Sequence, residues 1–182
     1  MNNKQKNRTD LPAYRVLRQG EIVGIVPSLI DIPWDDMVTF HLGCSFSFDD
    51  KLVEAGISLN QEQNIHMYVT NIDSIAVQPF HCKLIVTLRM IPRTMLNETV
   101  NCTIALDFAH GAPIHIGDPS KIGIDLSGKD ILGQVMEPSN KDMVPAFWAC
   151  GVTSSYAVKE ASKLCSPHKK ERYLMMIFEE ST

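Results

Sequence analysis

Cysteine is sparse and scattered. The five cysteines, Cys44, Cys82, Cys102, Cys150 and Cys165, form no Cys-x-x-Cys pair. This spacing argues against a zinc knuckle or a thioredoxin-type motif, and the odd count reads as free thiols in a reducing compartment. Positive charge is also in short supply. With 17 Lys and Arg against 21 Asp and Glu, the net charge is −4. No broad basic face can be built from that balance, so nucleic acid is not an expected partner. No apolar run reaches the length of a membrane span, so no membrane partner is expected. The polar start MNNKQKNRTD lacks the apolar core of a secretory signal. The chain does have an ordinary globular composition, 45% apolar and 21% charged. That apolar content can bury a core without disulfides or metals.

The hydrophobic pattern predicts helices interspersed with strands. The expected fold class is α+β, a single domain with a mixed β-sheet and flanking helices. Residues 1–10 read as a disordered tail and 11–182 as the domain. Tyr14 to Leu17 and Glu21 to Val26 read as a hairpin around Gly20. A short helix is expected over Asp31 to His41. In GCSFSFDDKLVEAG, residues 43–56, Ser47 and Asp50 have capping-box spacing. Phe48, Leu52 and Val53 should then form one apolar face, and Gly56 should stop the helix. The turn before it points backbone N–H groups outward, which suits an anion.

The segments 66–72 and 83–91, rich in β-branched residues, read as strands, the second ended by Pro92. Thr94 is expected to cap a helix with an apolar stripe of Leu96, Val100, Ile104 and Phe108, ending near His110 and Gly111. HGAPIHIGDP, 110–119, has room for a strand of at most three or four residues. VPAFWACGV, 144–152, reads as a buried strand. Thr153 or Ser154 should cap a last helix, and YLMMIF, 173–178, should add a final strand.

Several strings carry a family resemblance: RTDLPAYRV at 8–16, GCSFSF at 43–48, MYVTN at 67–71, HGAPIHIGDP at 110–119 and FWACGVT at 147–153. Together they resemble the D-glutamate cyclase family, whose bacterial members are often labelled hydro-lyases. The resemblance implies conversion of D-glutamate to 5-oxo-D-proline and water. It implies no metal and no organic cofactor. It implies a small acidic amino acid as substrate, leaves a homo-oligomer open, and implies a mitochondrial location in a eukaryote or a cytoplasmic one in a bacterium. Members of the family usually carry a Gly-rich segment before the RTDLP-like string, so the chain is expected to be N-terminally shortened. The C-terminal CSPHKKERYLMMIFEEST also departs from the expected pattern. A catalytically silent binding or interaction domain is therefore the alternative.

Cyclisation needs a general base, a general acid, oxyanion donors and a cation for the second carboxylate. His110, His115 and Asp118 are candidates for the proton transfers, because imidazole titrates near neutral pH. As alternatives, His110 caps a helix and Asp118 fixes a turn. Arg89, expected at a strand end, is the candidate substrate clamp, since guanidinium matches a carboxylate at two points; otherwise it reaches solvent. Cys150 is a candidate nucleophile or a small buried hydrophobe. Ser45 and Ser47 either hold a carboxylate or cap the helix. Tyr68, Thr70 and Asn71 offer polar groups at a strand end, where Asn71 either donates to an oxyanion or closes a turn. The imidazole loop, Arg89 and the FWACG strand are expected to line one pocket.

Overall fold

The structure, a computed structural model, describes residues 8–9, 13–18, 21–33, 46–59, 66–106, 109–136, 140–164 and 176–177. The class is α+β. The strands are β1 Tyr14–Arg18, β2 Glu21–Val26, β3 Met67–Asp73, β4 Lys83–Pro92, β5 His115–Ile116, β6 Met143–Ala149 and β7 Met176–Ile177. The helices are α1 Phe46–Glu54, α2 Leu96–Thr103 and α3 Val152–Leu164. Every strand pair among the described residues is antiparallel. The strands form two sheets, ordered β2-β1-β7 and β3-β4-β6-β5.

The chain divides into two compact units. One comprises Met1–His41, Ile75–Cys82 and Ser154–Thr182, the other Leu42–Ser74 and Lys83–Thr153. In the first, β1 and β2 form the expected hairpin, with a register shift between Val16 and Leu17. Tyr14, Val16 and Leu29 make its core, with Val26 and Ile32 against them. Arg8, inside the stretch expected to be a tail, donates to the carbonyls of Leu29, Ile30 and Ile32. Its own carbonyl accepts from the Leu29 N–H at 2.9 Å. One charged side chain thereby reaches three carbonyls of a turn, of which Leu29 also accepts from the Ile32 N–H at 3.1 Å.

The second unit is built on the four-stranded sheet. Successive residues of a strand face opposite sides, and directly paired residues share a side. One face carries Ile91, Ala146 and Trp148 against Phe48, Leu52 and Ile57. The other carries Tyr68, Val86, Leu88 and Phe147 against Ile122 and Ile124. We term these the helix face and the loop face. In α1, Phe48 and Leu52 are fully buried, one turn apart, whereas Val53 is 48% exposed and lies off the expected apolar face. Gly56 stops the helix with φ of 82°, and the N–H of Ile57 closes on the Leu52 carbonyl at 2.9 Å.

Two helix expectations are corrected. The stripe after Thr94 is shorter than predicted: α2 ends at Thr103, Ile104 is 61% exposed, and Phe108 lies outside the described residues. Its buried positions are Thr99 and Thr103. Their hydroxyls donate to the carbonyls of Met95 and Thr99, at 2.9 and 2.8 Å, so they can be buried without a polar penalty. Thr94 makes no cap, since Met95 is the N-cap and has no side-chain cap bond. Thr153 does not cap the last helix, which already starts at Val152. Its hydroxyl accepts from the Ile85 N–H at 3.1 Å and so joins the helix start to β4. Most of the helix expected over 31–41 lies outside the described residues.

Candidate functional site

Arg89 lies within β4 rather than at its end, and it is only 8% exposed. It pairs with Ala146, which places it on the helix face. Its Nε donates to Asp49 Oδ1 at 3.1 Å and its Nη2 to Asp49 Oδ2 at 2.9 Å. Nη1 donates to the Leu88 carbonyl at 3.1 Å. Guanidinium has five N–H donors, so two remain uncommitted among the described residues. The cation also lies 5.8 Å from the centre of the Phe48 ring, within cation–π range. Phe48 in turn stacks on Trp148 at 4.9 Å between ring centres. The first turn of α1 therefore supplies both the carboxylate that grips Arg89 and the ring that covers Trp148.

Next to Arg89 on the same face is Thr87, two residues earlier in β4. Thr87 pairs directly with Trp148 on one side and Met67 on the other. Thr87 is 2% exposed and Trp148 fully buried. Neither Thr87 Oγ1 nor Trp148 Nε1 has a hydrogen-bond partner among the described residues. Cys150 continues β6 on this side, with Sγ 3.8 Å from Met67 Sδ. Its backbone N–H donates to the Ile85 carbonyl at 3.0 Å, so the strand end is anchored where α3 begins.

The loop face is organised by Asp130, whose side chain is fully buried. Its Oδ1 accepts from the N–H groups of Leu132 and Gln134, at 2.8 and 3.0 Å. Its Oδ2 accepts from Met67 N–H and His66 Nδ1, both at 3.2 Å. This carboxylate closes a turn and ties it to β3 in the same act. Tyr68 lies on the same face, with its hydroxyl buried. Burial first, and then the negative charges of Asp130 and Asp125, raise its pKa above the usual phenol value, so it stays neutral. Of these, Tyr68 is legible in the sequence as a polar group at a strand end; His66 and Asp130 are not. The Asp-x-x-Gly spacing of Asp130 and Gly133 was the available turn signal.

Residues 38–176 match the family model described as D-glutamate cyclase. The chain belongs to the D-glutamate cyclase family. It is 41% identical over 173 residues to a relative from Dinoroseobacter shibae, covering 92% of this chain and 57% of that protein. It is 42% identical over 157 residues to one from Corynebacterium urealyticum, covering 84% and 59%. It is 44% identical over 166 residues to one from Verminephrobacter eiseniae, covering 88% and 60%. The first and third are named "Putative hydro-lyase", the second "Putative hydro-lyase cu1581". The chain thus spans 57–60% of the length of these three relatives.

In this cyclase-family sheet His115 and Arg89 lie on different faces. His115 pairs with Phe147, Phe147 with Leu88, and the Leu88 N–H donates to the His66 carbonyl. His115 therefore lies on the loop face, its ring 5.9 Å from that of Phe147. Its neighbour Ile116 pairs with Ala146 and shares the helix face with Arg89. The imidazole loop thus meets the FWACG strand directly, as expected, while the His115 imidazole lies on the opposite face from the side chains of Arg89 and Trp148.

The remaining candidates are placed as follows. His115 Nε2 donates to the Asp118 carbonyl at 2.8 Å, which fixes that nitrogen as the protonated one. Asp118 Oδ1 accepts from the hydroxyl and N–H of Ser120, at 2.7 and 3.0 Å. These bonds, hydroxyl first, hold its pKa below the usual carboxylate value, so it stays ionised in a turn. His110 takes φ of 75° in the turn before β5, and its Nε2 is buried. Thr70 is committed to the sheet: its hydroxyl donates to the Leu84 carbonyl at 2.8 Å and accepts from Ile72 N–H at 3.2 Å. These bonds fall where the β3–β4 register shifts between Val69 and Asp73. Ser45 lies outside the described residues. Ser47 is known only as a helical residue of α1, and its capping box with Asp50 also lies outside them. Among the described residues, no three His, Cys, Asp or Glu side chains gather as a metal-ligand set.

Asn71 packs its Cβ on Gly123, where φ is 76°; a methyl group added there would stand 2.9 Å from that Cβ. Gly123→Ala combines a left-handed backbone with a contact that no side-chain rotation relieves. We expect it to lower stability by about 1–3 kcal/mol in urea unfolding. A change below about 0.5 kcal/mol, within the range of ordinary surface substitutions, would contradict this close packing.

Proposed function

We propose that this sheet is the catalytic framework of a hydro-lyase that converts D-glutamate to 5-oxo-D-proline and water. The amine nitrogen attacks the side-chain carboxyl carbon, forming a C–N bond as a C–O bond breaks. From the ammonium and carboxylate forms, nitrogen loses two protons and the departing oxygen takes both, leaving as water. The reaction needs a cation for the carboxylate that does not react and a group that moves the proton. The observation that carries the reading is Arg89: a nearly buried guanidinium, already gripping one carboxylate at two points, with two N–H donors uncommitted among the described residues. Membership of the cyclase family supplies the reaction class.

On this reading Arg89 binds the substrate acid on the helix face and Cys150, on the same face, carries the proton. His115 and Asp118 order the loop beyond the other face. Purified protein incubated with D-glutamate should accumulate 5-oxo-D-proline, followed by chiral chromatography, with L-glutamate run in parallel. Folded protein that forms no product from either isomer contradicts the proposal.

A further inference from the structure

Among the described residues, Thr87 Oγ1 and Trp148 Nε1 belong to directly paired residues at the centre of the sheet, and neither is hydrogen-bonded. Buried polar groups are normally satisfied, and leaving one unpaired is costly. Their chemistry limits what can satisfy them. An indole nitrogen only donates, and a threonine hydroxyl can turn to donate beside it. The indole N–H on one of these paired residues calls for an oxygen that accepts, and the hydroxyl on the other can donate to the same group. Arg89 extends the same row, since it lies two residues along β4 on the same face. An ammonium group has only donors and would leave the Trp148 N–H unmet; a carboxylate has only acceptors and can take a bond from both.

We propose that Thr87 and Trp148 bind the substrate carboxylate that survives the reaction, together with Arg89. This rests on the helix-face reading above and adds the residues that recognise the acid. Cyclisation consumes one carboxyl group and leaves the other intact, so the product keeps the group that this pair grips. Thr87 and Trp148 therefore hold substrate and product alike. They set the requirement for an acid, and the amide-forming chemistry proceeds elsewhere on the same face.

The test follows the indole proton. The chain has two tryptophans, and Trp34→Phe assigns their two indole signals in nitrogen-labelled protein. D-Glutamate and 5-oxo-D-proline should both move the Trp148 signal downfield in a saturable way. 2-Pyrrolidinone, the same ring without the carboxylate, should not. Thr87→Val should weaken 5-oxo-D-proline binding by about tenfold or more, the loss of a hydrogen bond to a charged group. Thr87→Ser, which keeps the hydroxyl, should stay near wild type. If calorimetry shows that the acids bind, or turnover proceeds, while the Trp148 signal stays still, this inference falls and the proposed reaction stands. If no acid binds and no product forms, both fall. A signal that reports only a bound water, unmoved by either acid, assigns the pair to that water and overturns the inference.

Discussion

Arg89→Met should lower the free energy of unfolding by about 3–5 kcal/mol, the scale for removing one member of a buried ion pair. The substitution keeps most of the side-chain volume, so a cavity is not the main cause. The cost arises because the carboxylate of Asp49, only 22% exposed, loses both of its guanidinium bonds. The Leu88 carbonyl loses a donor, and Phe48 loses the cation near its ring. Adding Asp49→Leu should recover much of the loss, because an apolar pair of similar volume replaces a buried ion pair at little cost. Urea unfolding of the two single variants and the double variant gives the coupling directly. An Arg89→Met change below about 1 kcal/mol, the range of exposed pairs, would show that this pair behaves as a surface one.

Cys150→Ser should lower kcat by about 10²–10⁴-fold, the usual worth of a positioned proton-transfer group. The change is nearly isosteric at a half-buried position, so the strand end and the start of α3 should persist. KM should move little, since the carboxylate contacts are left in place. This pattern separates Cys150 from a merely structural cysteine. A structural loss would lower the melting temperature along with activity, whereas a lost proton carrier leaves the fold intact.

Much of the fold is legible in the sequence because its signals are local. The β1–β2 hairpin follows from two β-rich runs around Gly20, and Gly56 marks the end of α1 through its left-handed backbone. The strands β3, β4 and β6 follow from their apolar runs. The α2 stripe was overextended because apolar periodicity cannot show that Thr99 and Thr103 fill the buried face with satisfied hydroxyls. The site was harder to read, because its geometry depends on pairing. Arg89 stood out as a guanidinium after an apolar run, but its partner Asp49 is 40 residues away. Which side of a sheet His115 occupies is decided by its register with Phe147, and a shift of one residue would reverse it. Thr87 and Trp148 stand inside apolar runs of the sequence; only their direct pairing brings two unsatisfied groups together.

Turnover of D-glutamate by Cys150→Ser and His115→Ala, assayed side by side against wild type, tests most directly where the reaction takes place. Substrate seated on the helix face predicts a collapse of turnover in Cys150→Ser and retention of most activity in His115→Ala. Full activity in Cys150→Ser, with loss confined to a folded His115→Ala, would put the chemistry on the opposite side of the sheet and contradict the account.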